Sequence, residues 1–344
     1  MRRIGILTGG GDCAGLDAII RAVVRRGDSA YGYEVVGIRN GWLGLMEDDT
    51  IPLTVDLTAG ILTRGGTLLC ASRVNPVAGG ADGIDAIRAT LSRNRIDALV
   101  TIGGDGTLRG ARDLDGQGIP IVGVPKTIDN DVEGTEMSVG FHTAVQTATD
   151  AIDRLQTTAE SHNRVMVVEV MGREAGWIAT YAGLAGGADV ILVPERPFDL
   201  DEVCDQVRRR HARGRNYSIV VVAEGAEPID LLREEPEPRY DTLTRLVPSG
   251  IGITLQHEIG TRTGYDTRAT ILGHVLRGGS PTASDRILAT RFGVAAADAI
   301  HDRRFGTMTA LQGGRIVQVE LEHALHARKL VDPELYETAA VFFG

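Results

Sequence analysis

Short runs of Val, Ile and Leu recur along the chain and alternate with stretches whose apolar residues fall at helical spacing. Arg3–Thr8 reads as a strand. Leu16–Arg26 sets Leu16, Ile19, Ile20, Val23 and Val24 on one helical face. The same reading predicts strands at Val35–Ile38, Ala98–Ile102, Ile121–Val124, Val165–Val170, Val190–Val193 and Ser218–Ala223, and later at Ala269–Leu272, Met308–Leu311 and Ile316–Val319. Between them it predicts helices at Ile84–Asn94, Ala144–Thr158, Gly176–Ala185, Asp199–Arg210, Ile251–Gly260 and Ala283–Ile300. Strands that are apolar at nearly every position are buried on both faces. The expected fold class is therefore α/β, with mostly parallel sheets covered by helices. Glu227 to Arg245 breaks the rhythm: it carries Glu234-Glu235-Pro236-Glu237-Pro238 without an apolar period, and reads as an exposed, mobile loop. No internal repeat of fixed short period is present.

Composition narrows the class. A chain of 344 residues is long enough for two domains. With 43% hydrophobic and 24% charged residues it is of globular type. No apolar stretch approaches the roughly 18 residues of a membrane helix. The start, Met1 to Thr8, runs directly into a strand without a signal-peptide pattern, so a cytoplasmic protein without membrane attachment is expected. Cys13, Cys70 and Cys204 are odd in number and far apart, which suits a reducing compartment and neither a disulfide frame nor a zinc site. The net charge of -10 disfavours a nucleic-acid partner but leaves room for a local basic pocket.

Three clusters stand where strands end, at the edge of a parallel sheet that carries ligand sites. Thr8-Gly9-Gly10-Gly11-Asp12-Cys13-Ala14-Gly15 joins a strand to a helix. Its glycines let backbone approach an anion, and the helix start supplies free N–H donors. Gly103-Gly104-Asp105-Gly106-Thr107 sets a carboxylate between glycines, and Asp105 suits Mg²⁺ beside phosphates better than it suits a turn. Pro125-Lys126-Thr127-Ile128-Asp129-Asn130-Asp131 follows another strand. Alternate spacing in an extended segment points Asp129 and Asp131 the same way, where they repel unless a cation intervenes. Phosphoryl transfer to an alcohol uses this set: a carboxylate to take the hydroxyl proton and a metal to neutralise phosphate oxygens. Arg73, Arg164, Arg173, Arg268 and Arg277 recur near glycine-rich strand ends, suited to bidentate phosphate contact. His274 by itself reads more simply as a core or capping residue.

Together these segments resemble the phosphofructokinase family over nearly the whole chain. The matching segments run in order from Gly9-Gly10-Gly11-Asp12 through Gly65-Gly66-Thr67, Arg73, the two acidic clusters, Ala151-Ile152-Asp153-Arg154-Leu155, Glu169-Val170-Met171-Gly172-Arg173, Ala223-Glu224 and Arg268-Ala269-Thr270, to Gly273-His274 and Arg277-Gly278-Gly279. Gly-Gly-Asp-Gly is shared with NAD and lipid kinases. The Thr-Ile-Asp-Asn-Asp segment and the late Arg268, His274 and Arg277 set are far more specific, and a non-catalytic regulatory subunit would be expected to lack Asp129 or Arg173.

The resemblance implies two interleaved three-layer α/β/α domains. Residues 1–139 plus 251–306 would bind the donor nucleotide, residues 140–250 plus 307–325 the sugar phosphate, and 326–344 would form a C-terminal helical tail. It implies that Asp129 takes the proton from the 1-hydroxyl of fructose 6-phosphate, with Thr127 and Arg173 near the transferring phosphoryl group. Asp105 would hold Mg²⁺, and Gly10, Gly11, Arg73, Gly104, Gly106, Thr107 and Lys126 would bind the donor. Met171, Gly172, Glu224, His274 and Arg277 would bind the sugar phosphate. Arg164 and Arg268 would reach into a neighbouring subunit's site, making the working unit a homodimer or homotetramer.

Donor choice is split within the motifs. Gly106 resembles the ATP users and Lys126 the pyrophosphate users. An Asp at 106 would crowd and repel the α-phosphate, whereas a long, mobile Lys126 can attract either donor, so ATP is the expected donor and pyrophosphate the alternative. Ala14, Asp17 and Cys70 stand where the family usually has Pro, Asn and Gly. Asp17 would add negative charge near the phosphate turn, as a cap-side anion. Arg21, Arg25, Arg213 and Arg215 match basic positions of an allosteric anion pocket, with Gln156 where an Arg is often found.

Overall fold

The computed structural model describes residues 3–229 and 250–344. Its contacts divide the chain into two compact units interleaved along the sequence: Met1–Thr143 with Arg277–Lys329, and Ala144–Leu276 with Leu330–Gly344. The first unit begins with β1 (Arg3–Thr8), α1 (Leu16–Tyr31), β2 (Glu34–Ile38), α2 (Gly41–Glu47) and β3 (Thr50–Leu53). It continues through α3 (Val55–Thr58), α4 (Gly80–Arg93), β4 (Ala98–Gly103), α5 (Asp105–Asp115), β5 (Ile121–Thr127) and β6 (Val139–Gly140). Then follow α6 (Phe141–His162), β7 (Val165–Val170), α7 (Trp177–Ala185), β8 (Val190–Leu192), α8 (Leu200–Ala212), β9 (Ser218–Ala223), α9 (Ile251–Thr263) and β10 (Thr267–Ile271). The last elements are α10 (Ala283–His301), β11 (Thr307–Gln312), β12 (Arg315–Glu320), α11 (Leu321–Ala324) and α12 (Pro333–Ala340).

The first unit's sheet has the order β12-β11-β5-β4-β1-β2-β3, with β6 paired to β5. Its pairs are parallel except β2–β3 and β11–β12. Alternation within the strands sends side chains to two cores. Ile4, Ile6, Val100, Ile102, Val122 and Val124 pack with Ile19, Val23 and Phe292 on one face. Leu7, Leu99 and Ile121 pack with Leu108, Ala111 and Leu114 on the other. Burial on both faces is what the unbroken apolar runs require. In the second unit β10-β7-β9-β8 is parallel throughout. Val165, Val167, Val220 and Val222 meet α8 and α9. The fold is α/β with mostly parallel sheets, as expected.

The unit boundaries differ from those expected. β11 pairs with β5 at Thr307–Val122 and Met308–Gly123, so the 307–320 hairpin extends the first sheet. Leu255 and Ile259 of α9 enter the second unit's core. Of the expected Glu227–Arg245 loop, all but its first three residues lies outside the described residues. Among the described residues no helix is long and apolar enough to cross a membrane.

Asp17 stands in the first turn of α1, where a cap-side anion was expected, but it is bonded to a distant segment. It is buried, its Oδ1 accepts the Leu68 N–H at 2.7 Å, and Arg64 Nε lies 4.0 Å from Oδ2. Burial raises its pKa, opposed by that hydrogen bond and by Arg64. From the first turn the carboxylate also fastens α1 to the chain near Leu68.

A second buried carboxylate braces the same unit close to the start of α1. Asp285 is fully buried in the first turn of α10. Its Oδ1 accepts the Gly140 N–H at 2.9 Å, and its Oδ2 accepts the Thr143 N–H at 2.8 Å and the Thr143 hydroxyl at 2.6 Å. Asp285→Ala strands these donors and is expected to lower the unfolding free energy by about 2–4 kcal/mol, with Asp285→Asn milder because it keeps one acceptor. Urea unfolding measures this, and a loss for Asp285→Ala below about 1 kcal/mol would exclude the brace.

Candidate active site

The glycine turn after β1 is built against two neighbouring segments. Gly9 N–H donates to Ile102 O at the end of β4, and Gly10 N–H donates to Ser72 O, both at 2.9 Å. The second bond brings exposed Arg73 alongside the turn. Thr107 is buried in the first turn of α5, with its side chain against Gly9 and Gly103.

Two buried cations converge on this turn. Lys126, at the end of β5, is 1% exposed. Its Nζ donates to Gly9 O at 3.0 Å and also to Gly11 O. Burial lowers its pKa and Arg277 lowers it further, while Asp12 and Asp129 act in the opposite direction. Arg277 is buried too, its Nη1 donating to Asp12 O at 3.3 Å while its Nε has no hydrogen-bond partner. The guanidinium also packs against Gly11. A glycine turn backed by an ammonium and a guanidinium is electrostatically suited to a phosphate chain.

Lys126 is thus not the mobile side chain expected from the sequence. Desolvating an ammonium is tolerable only with acceptors in contact, and the two turn carbonyls hold it in place.

Asp105 opens α5 with Gly104 as the N-cap residue. Both its oxygens accept from Arg109 Nε, at 3.0 and 2.8 Å, and the carboxylate remains more than a third exposed. A hard carboxylate at a helix start, with outward lone pairs still open, fits Mg²⁺, which takes one or two protein carboxylates and completes its shell with phosphate and water. Among the described residues no three His, Cys, Asp or Glu side chains gather into an ion site of their own. Arg109 was missed in the sequence, although its spacing of four from Asp105 becomes legible once α5 is known to be a helix. Gly106 is exposed, and a Cβ built there meets no atom within 4 Å. Chain packing therefore does not demand a glycine at this position. A Cβ at Gly104 would lie 3.5 Å from Lys126 O and Thr127 Cβ.

Past Thr127 the chain turns. Asn130 has φ +51°, so the expected same-side placement of Asp129 and Asp131 does not hold. Asp129 is buried, and its N–H donates to Thr127 Oγ1 at 3.1 Å. Asp131 is buried, with Arg328 Nε 3.9 Å from its Oδ2. Asn130 Oδ1 accepts the Ser138 N–H at 3.0 Å, and its Nδ2 donates to Glu136 O at 3.3 Å.

The second unit carries its own group of the expected residues. Glu224 Oε1 accepts the N–H groups of Gly172 at 3.2 Å and Arg173 at 2.9 Å. Arg173 has φ +56°, the left-handed region, and its side chain is exposed beside the half-buried Met171. Arg164 Nε donates to Asp266 Oδ2 at 2.6 Å, and Arg268 pairs with the other oxygen of Asp266. These pairs hold the Asp266 pKa low, Arg164 most strongly. His274 is exposed. Among the basic positions expected to bind an effector, Arg21 and Arg25 lie on α1 of the first unit, while Arg213 and Arg215 follow α8 in the second. Gln156 donates to Gly186 O, and Arg213 donates to Gly344 O.

The family model described as phosphofructokinase matches residues 3–300. A pyrophosphate–fructose 6-phosphate 1-phosphotransferase of Amycolatopsis methanolica is 54% identical over 345 residues, covering 99% of this chain and 100% of that protein. An ATP-dependent 6-phosphofructokinase of Corynebacterium efficiens is 51% identical over 343 residues, covering 99% of each. Among solved structures, phosphofructokinase from Saccharomyces cerevisiae has a TM-score of 0.81 at 31% identity, over 95% of this chain and 45% of that chain.

The turn at Arg173 is closed from below by Gly225. A Cβ there would sit 2.1 Å from Arg173 O, a backbone atom with no flexible end to swing away. Gly225→Ala is expected to lower the unfolding free energy by about 1–3 kcal/mol through overpacking. Urea unfolding checks it, and an unchanged midpoint would mean the turn yields freely.

Proposed function

The chain belongs to the phosphofructokinase family, and on that premise we propose that it transfers the terminal phosphoryl group of ATP to the 1-hydroxyl of fructose 6-phosphate, giving fructose 1,6-bisphosphate. The observation that carries the site is the pair of buried cations, Lys126 and Arg277, behind one glycine turn, with Asp129 within the field of Lys126.

In this reading the donor phosphates lie along Gly10, Gly11, Gly104 and Thr107, with Arg73 reaching them from beside the turn. The Asp129 carboxylate accepts the proton of the 1-hydroxyl as that oxygen bonds to phosphorus. The bridging P–O bond of the donor breaks at the same time, and ADP leaves with the electron pair. Mg²⁺, held by Asp105, supplies positive charge to the phosphate oxygens when bound. Thr127 orients Asp129 through the N–H it accepts, and Arg173 offers its guanidinium to the transferring group. Met171, Gly172, Glu224, His274 and Arg277 bind the sugar phosphate. Arg164 and Arg268, both held by Asp266, serve a neighbouring copy's site in a homodimer or homotetramer. The protein works in the cytoplasm, and Arg21, Arg25, Arg213 and Arg215 contribute to an allosteric anion site.

Donor choice rests on Gly106. Open space beyond its Cα leaves room for an α-phosphate. Pyrophosphate as donor is the second reading. Lys126 favours it by its resemblance to pyrophosphate users, as does the name of the Amycolatopsis methanolica relative.

Purified protein with fructose 6-phosphate and Mg²⁺, given ATP and pyrophosphate side by side, tests both readings. Turnover is expected with ATP. Turnover with pyrophosphate alone would reverse the donor assignment, and none with either would overturn the activity. Gly106→Asp sets a carboxylate against the α-phosphate and is expected to lower kcat/KM for ATP about 100-fold, since like charges in contact cost several kcal/mol. An unchanged value would remove the basis for preferring ATP. Asp129→Asn is expected to lower kcat by roughly 10²–10⁴ with little change in fold, the span of a lost general base.

A further inference from the structure

The segment Ala327–Lys329 ends the first unit, and no role follows for it from the reaction chemistry. It lies along the loop that carries Asp129. Arg328 forms an antiparallel bridge with Val132, and Lys329 N–H donates to Asp131 O at 3.0 Å. Ala327 N–H donates to Glu133 Oε2 at 3.2 Å. Lys329 then folds its side chain across the loop, and Nζ donates to Thr135 O at 2.9 Å and to Glu136 O at 2.8 Å. One residue thus grips the loop on both sides of its turn. Glu136 O also receives Asn130 Nδ2, so the ammonium and the side chain next to Asp129 meet at one carbonyl.

We propose that Lys329 is a positioning residue for catalysis: it fixes the 129–138 loop so that the Asp129 carboxylate is held where the acceptor hydroxyl reacts. The proposal rests on Asp129 being the base, as argued above. Three features support a specific role over general packing. The ammonium is largely desolvated, which lowers its pKa to about 8 against the opposing pull of Asp131 and Glu136. The side chain is half-buried, and an ammonium drawn partly out of water is held there by its acceptors. Its side chain donates to two backbone carbonyls of the loop itself, so the loop's path is among what it constrains. Asn130 holds a left-handed conformation that costs an L residue roughly 1–2 kcal/mol, and such a turn persists only where its surroundings over-determine it. Asn130 bonds to Glu136 and Ser138 from inside the loop, and Lys329 closes it from outside.

The test is Lys329→Met, with Lys329→Arg as the conservative partner, in the full-length protein. Lys329→Met is expected to lower kcat about 30-fold while KM for fructose 6-phosphate stays within about twofold, because a base displaced by a fraction of an ångström loses rate before affinity. Lys329→Arg keeps a half-buried cation with several donors and is expected to recover most of that loss. Amide hydrogen exchange of residues 129–138 is expected to quicken in Lys329→Met and to stay slow in Lys329→Arg. Should Lys329→Met fail to fold, Lys329→Gln retains an amide donor without a charge to desolvate, and the same split between kcat and KM is expected. A kcat within twofold of wild type, a matching rise in KM, or unchanged exchange would overturn the proposal. A wild type without turnover on either donor would overturn the activity instead, and the exchange arm would still report whether Lys329 holds the loop.

Discussion

The site hangs on one buried ammonium. Lys126 leaves β5 and reaches under the turn that follows β1, where the Gly9 and Gly11 carbonyls accept its protons. Taking an ammonium out of water costs several kcal/mol even after relaxation. Hydrogen bonds to a charged group return about 1.5–3 kcal/mol each, so the two carbonyls offset part of that cost and the carboxylates of Asp12 and Asp129 a further part, while burial still holds the Lys126 pKa below its ordinary value. The charge is therefore tied to one geometry. If the turn shifted, the lysine would lose its acceptors; if the lysine shifted, the turn would lose its support. Because Lys126 is followed within three residues by Asp129, the contact that shapes the glycine turn also sets where the acidic loop begins.

Both candidate reacting side chains leave a strained stretch of backbone. Arg173 is itself left-handed, and Asp129 precedes the left-handed Asn130. Each conformation disfavours an L residue by roughly 1–2 kcal/mol, and each is held by hydrogen bonds across its turn. At Arg173 the Glu224 carboxylate takes two successive N–H groups, and Gly225 lets the chain approach within contact of the Arg173 carbonyl. At Asn130 the side-chain amide makes the equivalent bonds to Ser138 and Glu136. Flexible loops would sample many orientations and pay for each productive one in rate. Here the orientation is set by folding, so the cost appears in stability.

Much of this was legible in the residues. Every strand expected from an unbroken apolar run is present, because such runs have no surface to occupy and need a sheet covered on both faces. The elements not foreseen have weak local signals. β3 (Thr50–Leu53) is an edge strand with three of four positions partly or fully exposed, and β6 (Val139–Gly140) has two residues. α5 begins Asp105-Gly106 and contains a second glycine, so its propensity is poor, and it is held by Leu108, Ala111 and Leu114 in the core. Within the site, residue types in the motifs were readable and their contacts were not. Period-two reasoning for Asp129 and Asp131 failed at Asn130, whose left-handed turn is held by side-chain bonds to Glu136 and Ser138 within the same loop that no residue period displays. Asp17 reads only as a cap-side anion in the sequence because its partner, the Leu68 N–H, lies 51 residues away. Lys329 lies almost 200 residues from the loop it grips, with no motif around it.

The buried state of Lys126 also alters what its disagreement with Gly106 means. An exposed lysine at that position would meet the donor directly, and its charge would count against or for a particular phosphate chain. A lysine whose protons are already taken by Gly9 and Gly11 acts through the turn, which any phosphate donor must approach. Its field is then common to both donors and discriminates weakly between them. Gly106 is different in kind, since it faces open space and no neighbour requires it to be small. Packing within the chain gives no reason for a glycine there, and the volume it leaves empty is what the ATP reading uses. That volume matters to a donor with a group beyond its second phosphate and is irrelevant to one without.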